Sequence, residues 1–164
     1  MKNFQTIGVT CAAAFIAVTA LAQEKRPVTS GEAEAGTFSW GNSLTYVSNH
    51  FVKAAEDFPE DKYTYRPTDD VRTFGEIILH VARYNELVAA DELGREPEDV
   101  SAFAFHSKKE AVAKIKQSFK DLDEVRKKKP ASPNVADSLI HTSEHYGNLV
   151  VYYRLNGLVP PASR

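Results

Sequence analysis

Apolar residues recur along this chain at three- and four-residue intervals. Trp40, Leu44, Val47, Phe51, Ala54 and Phe58 keep that spacing, which predicts an amphipathic helix from about Phe38 to Phe58, stopped by Pro59. The stretch Pro59 to Asp70 is polar and bounded by prolines, so it reads as a link. Thr73-Phe-Gly-Glu76 has the hydroxyl and carboxylate of a capping box. A second helix follows to about Leu93, with Phe74, Ile77, Val81, Tyr84 and Val88 on one stripe and Gly94 as its end. Ser107-Lys-Lys-Glu110 is a second box, and Val112, Ile115, Phe119 and Leu122 form the seam of a third helix that Pro130 stops. Ser132-Pro133 opens a fourth, as cap and first helical residue. Its stripe is Val135, Leu139, Thr142, Tyr146, Leu149 and Tyr153, closed by Asn156-Gly157 and Pro160-Pro161. No window alternates as a strand does. The expectation is an all-α, antiparallel four-helix bundle.

The start of the chain breaks this pattern. Lys2 precedes a run from Ile7 to Leu21 that is apolar or small apart from scattered Thr and Cys11, and Ala20-Leu21-Ala22 fits the small-residue rule for cleavage. Residues 1–22 therefore read as a secretory signal peptide, and the expected location is exported, periplasmic or secreted. The competing reading is a membrane-anchoring helix, which needs ~20 apolar residues; the run is short for that. After processing, no stable membrane insertion is expected. Residues 23–36 are polar, small and punctuated by Pro and Gly, and read as a flexible leader before a domain spanning 37–164.

Composition narrows the chemistry. Cys11 is the one cysteine, and it leaves with the leader. Thiol catalysis, cysteine-ligated zinc and disulfides are thereby excluded from the processed chain, and a bundle of this size must hold together through its core. The formal charge of -2 gives no electrostatic case for nucleic acid. Arg126 to Lys129 is a cationic run at a helix C-terminus, where it complements the dipole.

His141 and His145 lie one helical turn apart on one face. At about 100° per residue, His80 sits roughly 80° from the centre of the second helix's stripe, and the pair sits at an edge of the fourth helix's stripe. Edge positions on facing helices line a cleft, and three neutral imidazoles there form a metal site with a position open to water or substrate. The spacing alone leaves a second reading, in which these are boundary histidines that only hydrogen-bond. His50, beside Phe51, is a weaker candidate for the same cleft; His106 falls in a loop and is expected to be exposed. Glu144 is a weak candidate for a catalytic or proton-shuttling carboxylate, since it points roughly 60° away from His141.

Three segments carry a resemblance: Pro59-Glu-Asp-Lys-Tyr-Thr-Tyr-Arg-Pro67, Arg72-Thr-Phe-Gly-Glu-Ile-Ile-Leu-His80, and His141-Thr-Ser-Glu-His145-Tyr-Gly-Asn-Leu-Val-Val-Tyr-Tyr-Arg-Leu-Asn-Gly-Leu-Val-Pro-Pro. From about Phe38 to Ser163 the chain resembles the DinB/YfiT-like superfamily of small four-helix bundles, which is distinct from the polymerase of similar name. The resemblance implies a divalent metal on His80, His141 and His145, zinc or nickel given the all-imidazole set. It also implies thiol-dependent S-transferase or isomerase chemistry, and the expected function is a metal-dependent enzyme, hydrolase or thiol-dependent transferase, acting on a small-molecule substrate that the sequence does not name. Export removes the chain from the cytosolic thiol pool, so a non-catalytic metal- or ligand-binding bundle of the cell envelope stays open as the alternative. A homodimer is compatible with either.

Overall fold

The computed structural model describes residues 39–164. The expected signal peptide (1–22), the expected leader (23–36) and the expected helix start at Phe38 lie outside the described residues. Four helices follow: α1 Trp40–Asp57, α2 Phe74–Leu93, α3 Lys108–Lys128 and α4 Pro133–Leu155, with short 3-10 turns at Glu60–Lys62, Val100–Phe103 and Pro161–Ser163. No strand occurs among the described residues, and no helix there is long and apolar enough to cross a membrane.

The helix ends follow the local chemistry. The Thr73 hydroxyl accepts from the Glu76 amide at 3.2 Å, and the Thr73 amide donates to the Glu76 carboxylate at 2.7 Å, so the first box is complete. Gly94 ends α2 with φ of +66°, a conformation that only glycine adopts cheaply. The second box forms by half. Ser107 accepts from the Glu110 amide at 3.2 Å, but Glu110 is exposed, where water competes for its carboxylate. The cationic run at the end of α3 is taken up in ion pairs: Arg126 and Lys127 with Asp123, Lys128 with Glu124, and Lys129 with Glu92.

The bundle is antiparallel, two helices running each way. Lys108, at the start of α3, donates to the carbonyl of Phe58, just past the end of α1, so α1 and α3 run oppositely. Tyr152, near the end of α4, donates to the carbonyl of Arg72, just before α2, so α2 and α4 also run oppositely. Asn85–Ser118 and Glu92–Lys129 place α2 and α3 in the same direction. Residues 94–107 make this feasible, since that many residues reach at most about 45 Å extended and α3 is only ~31 Å long.

One end of the core is aromatic. Phe58 stacks on Phe74 at 3.7 Å, with Tyr63 and Tyr153 packed around them. The Tyr153 hydroxyl donates to the Ala54 carbonyl at 2.7 Å, so its buried polar tip is satisfied. The buried face of α2 differs from the expected stripe. Ile78, Ala82, Asn85, Glu86, Ala89 and Ala90 are buried, whereas Tyr84 and Val88 are only half-buried. α2 packs on α3, α4 and the Val100–Phe103 turn together, so it buries a broader and rotated face.

A candidate three-histidine metal centre

Antiparallel pairing of α2 with α4 builds the site. Ser138 donates to the Asn85 side chain at 2.6 Å, and Asn85 donates on to Ser118 at 3.4 Å, all three buried. A satisfied polar network inside a core fixes register, because any slip leaves buried groups unpaired. One residue back on each helix, the Tyr84 hydroxyl donates to Asp137. One turn further along the same pairing, His80 meets His141.

His80 Nε2 and His141 Nε2 are 3.2 Å apart. The ring centroids of His80, His141 and His145 lie 4.6 to 5.0 Å from one another. One nitrogen from each ring falls within 4.8 Å of the other two, and all three residues are half-buried. Tyr84 stacks on His141 with centroids 4.1 Å apart and planes 24° apart, which sets that ring's plane. Asn148 lies 3.4 Å from His145 Nδ1. The amide nitrogen Nδ2 is the end that faces Nδ1; exchanging the two ends of the amide would let its oxygen accept the Nδ1 proton and leave the Nε2 lone pair free.

The electrostatics favour neutral rings. Burial pushes His80 down to about 4, helped by the Arg72 charge and the two neighbouring imidazoles. Burial does the same to His145, also to about 4, with His141 and Arg72 adding to it. His141 is lowered chiefly by burial, against the opposing charges of Glu144 and Asp137. At neutral pH all three therefore offer lone pairs.

These features fit a divalent ion. Two nitrogens on one tetrahedral zinc, each at 2.0–2.1 Å, lie about 3.3 Å apart, close to the His80–His141 spacing. The third nitrogen already lies within 4.8 Å of the other two, and bringing it into the coordination distance takes a side-chain rotation of ordinary size. His141 Nδ1 is buried without a partner. Its other nitrogen faces His80, so His141 presents Nε2 to the centre of the cluster.

The remaining expected residues lie elsewhere. His50 donates to or accepts from nothing in the cluster; its Nδ1 is 2.8 Å from the Tyr46 carbonyl, and its ring packs between Tyr46 and Tyr146. His106 is exposed in the link before α3. Glu144 is exposed and reaches His141 only through its charge. Sequence reasoning missed Asp137, Asn148 and Arg72 as partners of the site. Asn148 sits three residues after His145, a spacing that signals a helical neighbour; Asp137 and Arg72 carry no such signal, because only the fold brings them near.

Two cavities flank the cluster. One, of about 830 Å³, is lined by His145, Asn148, Arg66, Arg72, Glu76 and Tyr152, among others. The other, of about 400 Å³, is lined by His80, Leu79, Phe103 and Phe105 among others. Residues 43–150, which include all three histidines, match the family model of the DinB superfamily. No curated protein matches the chain.

Proposed function

This chain belongs to the DinB superfamily, and we propose that it is a divalent-metal-dependent enzyme acting on a small molecule, of the hydrolase or thiol-dependent transferase type. The observation that carries the reading is the convergence of three imidazole nitrogens beside a cavity large enough for a substrate. His80, His141 and His145 would hold the ion, with zinc or nickel favoured by all-nitrogen ligation. Such an ion supplies Lewis acidity and lowers the pKa of a water or thiol toward neutrality.

The chain's own groups prepare the site. Burial keeps the imidazoles unprotonated. Tyr84, anchored on Asp137, orients His141, and Asn148 orients His145. The reading is tested on purified protein by elemental analysis and by turnover of ester, lactone and thiol-acceptor panels. About one equivalent of metal is expected, with an activity that chelation removes and zinc or nickel restores. Full metal without turnover would favour a non-catalytic binding bundle.

We further propose that the chain is exported and loses residues 1–22, on the strength of the charged start, the apolar run and Ala20-Leu21-Ala22. N-terminal sequencing of exported protein should begin at Gln23. Met1 retained in a membrane fraction would reject this and favour an anchor.

A further inference from the structure

We propose that the cavity beside His145 takes a substrate bearing an oxyanion, a carboxylate or phosphate, and that Arg72 holds that group while the rest of the molecule reaches the histidine cluster. The inference rests on the metal reading and gives it a substrate class.

Arg72 lines the same cavity as His145 and Asn148. Its position is built, since its carbonyl accepts from the Tyr152 hydroxyl and the next residue caps α2. Among the described residues its guanidinium makes no ion pair within 4.0 Å and no hydrogen bond, and it acts on Glu76 only through its charge. The cavity's other cation is engaged: Arg66 lies 3.9 Å from Glu76 and donates to the Asp69 carbonyl. Glu76 in turn accepts the Thr73 amide in the capping box. Arg72 is thus the guanidinium left with its planar fork of donors free, the geometry that matches carboxylate and phosphate oxygens two at a time.

The charge balance points the same way. Three neutral imidazoles leave the full charge of a divalent ion uncompensated, and Arg72 adds another positive charge beside it. Asp69 and Asp70 also line the cavity and oppose this, with Asp70 already accepting from Thr68 at 2.5 Å. The cavity is therefore cationic when the ion is bound and not before. An oxyanion should bind the loaded protein and not the metal-free one.

The test uses cobalt-loaded protein, with acetate and inorganic phosphate titrated separately and followed by visible absorption. Arg72→Gln should keep the cobalt stoichiometry and the melting temperature but weaken binding of the preferred anion about tenfold, the effect of one lost charge-assisted bond. Arg72→Lys should fall between, because it keeps the charge and loses the fork. Arg66→Gln should change binding little. The stronger of the two titrations identifies carboxylate or phosphate as the group taken. Equal anion affinity in wild type and Arg72→Gln, with cobalt bound in both, would overturn this inference and leave the metal site standing. Failure to take up any metal would overturn both.

Discussion

The Nε2 atoms of His80 and His141, far apart in the chain, lie 3.2 Å from each other across the α2–α4 interface. Two neutral imidazoles gain little from so close an approach unless one donates to the other or an ion sits between them. Changing His80, His141 or His145 to Ala should each lower metal affinity by more than about a hundredfold, beyond the range for losing an outer partner. His106→Ala should leave it unchanged, since that ring is exposed and remote. Chelator competition measures this. Near-complete metal retention in a His141→Ala, His145→Ala double variant would refute the site.

The histidines also set a pH dependence. His80 and His145 are held at about 4 in the folded chain, chiefly by burial, against about 6.5 when unfolded. Between those values the unfolded chain binds more protons, so stability of the metal-free protein should fall as pH drops from about 7 toward 4. Carboxylates held below their usual range, such as Glu76 and Asp123, act only lower, below about 4.5. Urea midpoints at pH 7 and 5 test this. A flat midpoint over that interval, or the same slope in His145→Gln, would contradict it.

Tyr84 should matter to metal affinity without being a ligand. Tyr84→Ala removes the ring stacked on His141 and its tie to Asp137. A loss of 10–100-fold in affinity is expected, as for other groups that orient a ligand. Tyr84→Phe keeps the stack and should lose less. Identical affinities in all three proteins would show that His141 is oriented by backbone packing alone.

Glu86 is buried at 2% exposure, and its carboxylate accepts from Arg83 at 2.7 Å, Arg95 at 2.9 Å and the Glu98 amide at 3.0 Å. It ties the 94–107 link to α2. Glu86→Ala should cost about 2–3 kcal/mol, less than the 3–5 of a fully buried pair because water reaches both arginines. Chemical denaturation reads the change. A cost within experimental error would mean the link is held by its aromatic contacts instead.

Much of the fold is written locally. Thr73 with Glu76, Ser132 with Pro133, and Gly94 each mark a helix end from a few neighbouring residues, and each forms the expected bonds or backbone angle. Local signals suffice there because a cap satisfies orphan amides within one turn. The face of α2 was less legible. Counting large apolar residues selects Tyr84 and Val88, while the buried positions include Ala82, Asn85, Glu86 and Ala89. Alanine carries a weak hydrophobic signal, and a polar residue is buried only when a distant partner satisfies it.

The same division holds at the site. The sequence by itself determined that His141 and His145 share a face, because a helix repeats every 3.6 residues whatever surrounds it. It also placed His80 at the margin of its own helix. Only tertiary structure decided that the margins meet. The Asn85–Ser138 bond sets the register of α2 against α4, so that His80 falls opposite His141 and not a turn away. Tertiary structure likewise brought Asp137 to Tyr84 and Arg72 to the cavity of His145. Those relationships depend on which groups a packed core leaves no alternative partner. That is a property of the whole bundle, not of any window of the chain.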